Sequence, residues 1–288
     1  MCALYRRASA DLCRAQARTA NAEVLRYLNA LVARAYGLIY SGRRFRSSDV
    51  TDFVLREFPA LVLARWRPLA LSTSLVLLGL LFGYLAATYD EDARHFLIPE
   101  QYREVCEHLD QAVQQHQGRA LTPGASAFTS NTIMWNNIKV CLTAFALGIT
   151  LGFGTALILF QNGVIIGVLA SYFVRAGYGV HFVALLAPHG VIELSAIFIS
   201  GAAGLVVGRG LLMPGELPRR ESLRRAGLEA TKLVIGTIPM LIVAGLIEGF
   251  VTPQGEIPPV VKILFGALTG VGLFFYFAPR GMMARGGR

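Results

Sequence analysis

Residues 187–210, "APHGVIELSAIFISGAAGLVVGRG", are apolar enough to lie in a bilayer, yet they carry His189 and Glu193 one helical turn apart, just after Pro188. Read as a helix, positions 189, 193, 196, 200, 204 and 208 share one face, which places His189, Glu193, Ala196, Ser200, Gly204 and Gly208 in a single stripe. The stripe is polar at one end and small at the other. Small residues let a neighbouring helix approach closely, and ionisable ones are expensive against lipid, so this face points into a bundle. The expected fold class is therefore all-α, a polytopic transmembrane helix bundle.

Composition supports that reading over the whole length. The chain has 288 residues, of which 54% are hydrophobic and 16% charged, with a mean hydropathy of +0.52. That is too apolar for an ordinary soluble domain. Spanning a hydrocarbon layer of about 30 Å takes about 20 apolar residues. The clear windows are Pro68–Thr88, Lys139–Phe160, Gly190–Val207, Leu233–Val251 and Val260–Phe277. The N-terminus lacks an apolar segment followed by a small-residue cleavage site, so the spans themselves are expected to drive insertion.

Charge predicts the topology. Residues 1–67 hold 12 Lys/Arg against 5 Asp/Glu, residues 209–232 hold 6 against 3, and "PRGMMARGGR" adds three arginines. By the positive-inside rule all three should be cytoplasmic, with both termini inside the cytoplasmic (inner) membrane. The loop 89–138, with 7 acids and 3 bases, suits the outer side. Parity then requires an additional crossing within 163–187, whose apolar runs Val164–Val174 and Val180–Ala187 are each short and are separated by "RAGYG". The expectation is six crossings with the third one broken, or alternatively a long tilted helix whose Arg175 snorkels to an interface. Three parts follow: a cytoplasmic amphipathic helical segment (1–67), a transmembrane bundle (68–279) with its outer loop at 89–138, and a basic tail (280–288).

Within the first part, Val24, Leu28, Leu31, Val32, Ala35, Leu38 and Ile39 recur at helical spacing. This amphipathic helix is either a platform for anionic lipid or a partner, or a packing face. Arg65, Trp66 and Arg67 sit where interfacial anchors are expected. Each crossing also contains a GxxxG pair: Gly79/Gly83, Gly148/Gly152, Gly163/Gly167, Gly204/Gly208, Gly245/Gly249 and Gly266/Gly270. Together they predict close helix packing or a homo-oligomer.

Glu248, near the end of the fifth crossing, is a second acid at a depth similar to that of Glu193. With Asn136, Asn137 and Asn162, the residues His189, Glu193 and Glu248 form either a polar intramembrane site for a proton, ion or headgroup, or a structural hydrogen-bond cluster. Enzyme chemistry is not expected, because HxxxE lacks the HExxH pattern and no GxSxG elbow or phosphate-binding loop occurs. Cys2, Cys13, Cys106 and Cys141 form no ligand-spaced set, so neither a metal nor a cofactor is expected. The net charge of +9 is better explained by cytoplasmic Lys and Arg than by nucleic acid.

The segments "NNIKVCLTAFALGITLGFGTALILFQNG", "PHGVIELSAIFISGAAGL" and "IEGFVTP" are similar to those of the stage II sporulation protein M family of integral membrane proteins. The start, "LYRRASADL" and "YLNALVARAYGLIY", and the entry "REFPALVLARWRP" resemble the family as well. The resemblance implies a membrane scaffold of a cell-envelope complex, with a wall hydrolase or a MoxR-type ATPase system as partner. It assigns no catalytic residue. The alternative function is a transporter or channel whose path runs through His189, Glu193 and Glu248.

Overall fold

A computed structural model describes residues 2–18, 22–40, 47–114, 123–250 and 257–285, with side chains placed for 7–17, 23–34, 49–110, 135–250 and 257–278. Thr252, Pro253 and the end of the basic tail lie outside the described residues. Every regular element among the described residues is helical. Two compact units divide at Thr51/Asp52. The first contains α1 (Cys2–Arg18) and α2 (Ala22–Tyr40), which pack on each other. On α2, Leu25, Leu28 and Val32 are half-buried, whereas Val24, Tyr27 and Leu31 are exposed.

A short helix α3 (Ser47–Asp52) and a π-helical turn (Phe53–Glu57) precede α4 (Phe58–Ala64). Pro59 lacks an N–H and lies in the first turn of α4, where none is needed. Residues 53–64 pack on the bundle, inside the stretch that charge and amphipathicity assign to the N-terminal segment. Phe58 is buried where Gly236 leaves room for its ring, with the Phe277 ring centroid 6.1 Å away, and the Tyr276 hydroxyl donates to the Val54 carbonyl.

The long helices are α5 (Trp66–Tyr89), α8 (Pro123–Ala146), α9 (Phe153–Arg175), α10 (Gly179–Leu212), α11 (Arg219–Phe250) and α12 (Pro259–Arg285). Between α5 and α8 lie α6 (Glu91–Phe96) and α7 (Glu100–Gln114). Five helices, α5 and α9 to α12, are long and apolar enough to cross a membrane. Direction follows from register. Gly163 lies against Val76 and Leu80, Gly167 against Leu80 and Tyr84, and Thr88 Oγ1 is 3.0 Å from Ser171 Oγ. Both sets of numbers rise together, so α5 and α9 are parallel neighbours, and α8 is the return path between them. By the same reading α8 runs parallel to α10 (Asn137 on Glu193, Ala144 on Gly204), and α10 parallel to α12 (Ala187 on Gly266). The bundle is thus three helices up and three down, with α10 largely buried at its centre and α12 mostly exposed along its sides.

This arrangement corrects the expected broken third crossing. Residues 163–187 do not form a crossing with an internal break: α9 is continuous from Phe153 to Arg175, "RAGYG" is the α9–α10 turn with Gly177 at φ 79°, and α10 continues through Pro188. The break falls instead at 147–152, inside the expected span Lys139–Phe160, where Leu151 has φ 61° and Gly152 φ 85°. Thr150 fixes that turn, donating to the Leu147 carbonyl at 2.6 Å and accepting from the Gly154 amide at 2.8 Å. A turn built of Leu, Gly, Ile and Thr carries no hydropathy signal, which is why the window of apolar residues ran through it.

The glycine pairs interlock two by two. A Cβ at Gly79, Gly83, Gly163 or Gly167 would overlap backbone across the α5–α9 seam, one at Gly148 or Gly208 would overlap backbone between the 147–152 turn and α10, and one at Gly204 would overlap the Ala144 carbonyl at the end of α8. Gly152 approaches the Gly208 Cα, and Gly266 lies against Ala187. Gly249 does not pack: a Cβ there would meet nothing within 4 Å, because this last turn of α11 lies at the bundle margin.

Candidate functional site

The two ends of the bundle differ in charge. One carries Arg65, Arg67, Arg209, Arg219, Arg220, Arg224 and Arg225, and the other carries Asp90, Glu91, Asp92, Glu100, Glu104, Glu107 and Asp110 on and around α6 and α7. At the basic end Arg65 Nε and Nη2 both donate to the Glu229 carboxylate. The hydrogen bond to Glu229 holds the guanidinium above its ordinary value, against the opposing effect of partial burial.

The polar cluster lies in the half of the bundle toward the acidic end. Asn136 and Asn137 from α8, Asn162 from α9, and His189 and Glu193 from α10 line one cavity of about 60 Å³. Five of the six residues singled out from the sequence therefore meet in one place. The sixth, Glu248 on α11, is 2% exposed and within electrostatic reach of Glu193. Asn137 Nδ2 donates to Glu193 Oε2. Both carboxylate oxygens of Glu248 and the Asn162 amide nitrogen are buried without a hydrogen-bond partner among the described residues.

Tyr102 of α7 is the residue that sequence reasoning missed. It is buried, lines the same cavity and feels the charges of both Glu248 and Glu193. Burial pushes its phenol up most, a hydrogen bond to Gln101 pulls it back, and the two carboxylates push it further, so it stays a neutral hydroxyl. The signal was available: Ile98, Tyr102, Cys106 and Leu109 recur at helical spacing and are all buried against the end of α9.

The volume constrains the chemistry. A cavity of about 60 Å³ has room for a few ordered waters. No group of three or more His, Cys, Asp or Glu that could hold a metal occurs among the described residues. The site can hold water, share protons and order hydrogen bonds between four helices and α7.

Fold and site together define a polytopic helical membrane protein with a carboxylate-containing polar cluster inside its bundle. Residues 72–253 match the model of stage II sporulation protein M, well over half of the chain. The chain belongs to the stage II sporulation protein M family. Residues 1–41 match a separate model, described as a domain of unknown function. An uncharacterized protein of Methanocaldococcus jannaschii is 33% identical over 132 residues, covering 44% of this chain and 72% of that protein. A second from the same organism, also uncharacterized, is 29% identical over 133 residues, 45% of this chain and 56% of its own length. No solved structure matches the chain.

Proposed function

We propose that the protein is a non-enzymatic scaffold in the cytoplasmic membrane, with both termini inside, that holds partners of an envelope-associated complex. The observation that carries this reading is the N-terminal unit. Met1–Thr51 is compact by itself, matches a domain model separate from that of the bundle, and leaves Val24, Tyr27 and Leu31 exposed at i, i+3 and i+7 on one face of α2. An apolar stripe on a separate helical unit suits a partner helix. The interlocked glycine seams suit a rigid platform in the membrane.

The test is a mild-detergent pull-down of the tagged protein from its own membranes, followed by mass spectrometry. A reproducible partner, such as a wall hydrolase or a MoxR-type ATPase, is expected with the wild type and is expected to be lost in the double variant Tyr27→Asp/Leu31→Asp. Retention of every partner by that variant would remove the stripe from the interface, and recovery of the protein alone would count against a scaffold.

A second reading rests on Glu193 and Glu248. Buried carboxylates within reach of each other are the usual mark of a proton or ion path. The 60 Å³ cavity limits such a path to water, protons or a bare ion. Liposome flux with Glu193→Gln as control separates the two: a carrier variant folds and loses flux, whereas a scaffold variant keeps its partners.

A further inference from the structure

A second cavity, of about 370 Å³, opens at the acidic end of the bundle, where α6 and α7 lie over the ends of α5 and α9. Its walls include His95, Arg103, Glu107, Asp110 and Tyr172. Two of the groups around it have unused hydrogen-bonding capacity. The Tyr172 hydroxyl, on a residue 2% exposed that forms part of the wall, has no hydrogen-bond partner among the described residues. The guanidinium of Arg94, itself 1% exposed and not part of the cavity wall, lies over the Tyr172 ring, 5.5 Å from its centroid. Its Nη2 donates to Glu91, but its Nε and Nη1 are buried without partners among the described residues. The positive field of this buried arginine and the unpartnered Tyr172 hydroxyl both favour an acceptor oxygen at that wall.

The rest of the lining has the opposite need. Arg103 is already paired with Glu100 at 2.9 Å. Neither Glu107 nor Asp110 forms an ion pair among the described residues, since Arg103 pairs with Glu100 and His108 with Glu104. Burial pushes the Asp110 carboxyl above the usual range, Arg94 and His95 pull it back, and Glu91 pushes it up again. A cation in the cavity would complete that side. One molecule satisfies both walls if it carries an anionic oxygen at one end and an ammonium at the other.

The position indicates its source. Tyr172 is three residues from the end of a spanning helix, and the neighbouring Tyr89 and Phe96 are strongly exposed, as aromatic residues are at headgroup depth. We propose that this cavity binds the phosphoethanolamine headgroup of a phospholipid, the phosphate accepting from Tyr172 in the field of Arg94 and the ammonium resting against Asp110 and Glu107. The site is separate from the Glu193 cluster and does not depend on the scaffold reading.

The experiment is thermal unfolding of the full chain purified in a maltoside detergent. Phosphatidylethanolamine, phosphatidylcholine or phosphatidylglycerol of the same acyl chains is added, and, in a further arm, soluble phosphoethanolamine. Phosphatidylethanolamine at ten times its half-saturating amount should raise Tm by about 3 °C. The lipid without an amine and the lipid with a methylated amine should do far less. Asp110→Asn should fold, because it removes a desolvated carboxyl, and should need about tenfold more lipid. Tyr172→Phe, which removes a single oxygen, should need about fivefold more. An equal response to phosphatidylglycerol, or an unchanged response in both variants, overturns the proposal. Saturation by soluble phosphoethanolamine at the same concentrations upholds the headgroup chemistry and overturns the lipid as its source.

Discussion

Two kinds of contact hold the bundle together. Along the seams, the 147–152 turn and α10 meet through Gly148, Gly204 and Gly208, and α5 and α9 through Gly79, Gly83, Gly163 and Gly167, with backbone pressed on backbone. Around the polar cluster, α8, α9, α10 and α11 meet at Asn137, Asn162, His189, Glu193 and Glu248, with a cavity between them that Tyr102 also lines. The seams have no room for change. The cluster retains space and unsatisfied polar groups, and that is where chemistry or regulation can be accommodated.

The largest effect should come from breaking a dry seam. Gly163→Leu would drive a side chain into the Val76 carbonyl and the backbone of Leu80, so no folded protein should be recovered in detergent. Gly249→Ala, at the position with open space, should leave Tm within a degree or two of the wild type. Equal behaviour of the two variants would erase the distinction between seam and margin. Next in size is Asn137→Leu, which strips Glu193 of its donor and should destabilise by about 1–3 kcal/mol, read as a lower Tm, while Glu193→Gln should be milder because the amide keeps a carbonyl for Asn137.

At the basic end Arg65→Ala should cost only about 0.5–1 kcal/mol, because the Arg65–Glu229 pair is partly exposed, and the difference should shrink at high salt. The smallest effect concerns Asp110. Its folded pKa is raised, so its contribution to stability is complete below its ordinary value of 3.8 and is lost as pH rises through the raised value. Asp110→Asn should flatten Tm against pH over that acid window by about a degree. A steeper profile in the variant would reverse the sign assigned to this group.

Much of the fold was legible because a membrane imposes one rule: backbone polar groups must be satisfied inside the segment, so long apolar runs become helices. The polar cluster was legible for the complementary reason, since Glu193 and Glu248 stand out where apolar residues are the norm. Turns made of apolar residues were not legible. "LGITLG" reads as helix by composition, and only the left-handed backbone at Leu151 and Gly152 reveals the reversal, which shifted the third crossing by about ten residues. Tyr102 was missed for another reason. The helical spacing of Ile98, Tyr102, Cys106 and Leu109 marks a buried face, but α7 is charged and lies outside the apolar spans, and only the tertiary structure shows that this face packs against the end of α9.

The parallel pairing of α5 with α9 has a consequence for the order of synthesis. The residues that close this seam at its acidic end, Thr88 and Ser171, are 83 positions apart in the chain. A nascent α5 therefore enters the membrane with its glycine face bare, and must wait through the synthesis of α6, α7 and α8 before its neighbour arrives. During that interval α5 is an orphan segment, open to quality-control proteases and to any holdase that recognises small-residue grooves. Truncations ending between α5 and α9 should be cleared from the cell faster than those ending after α9.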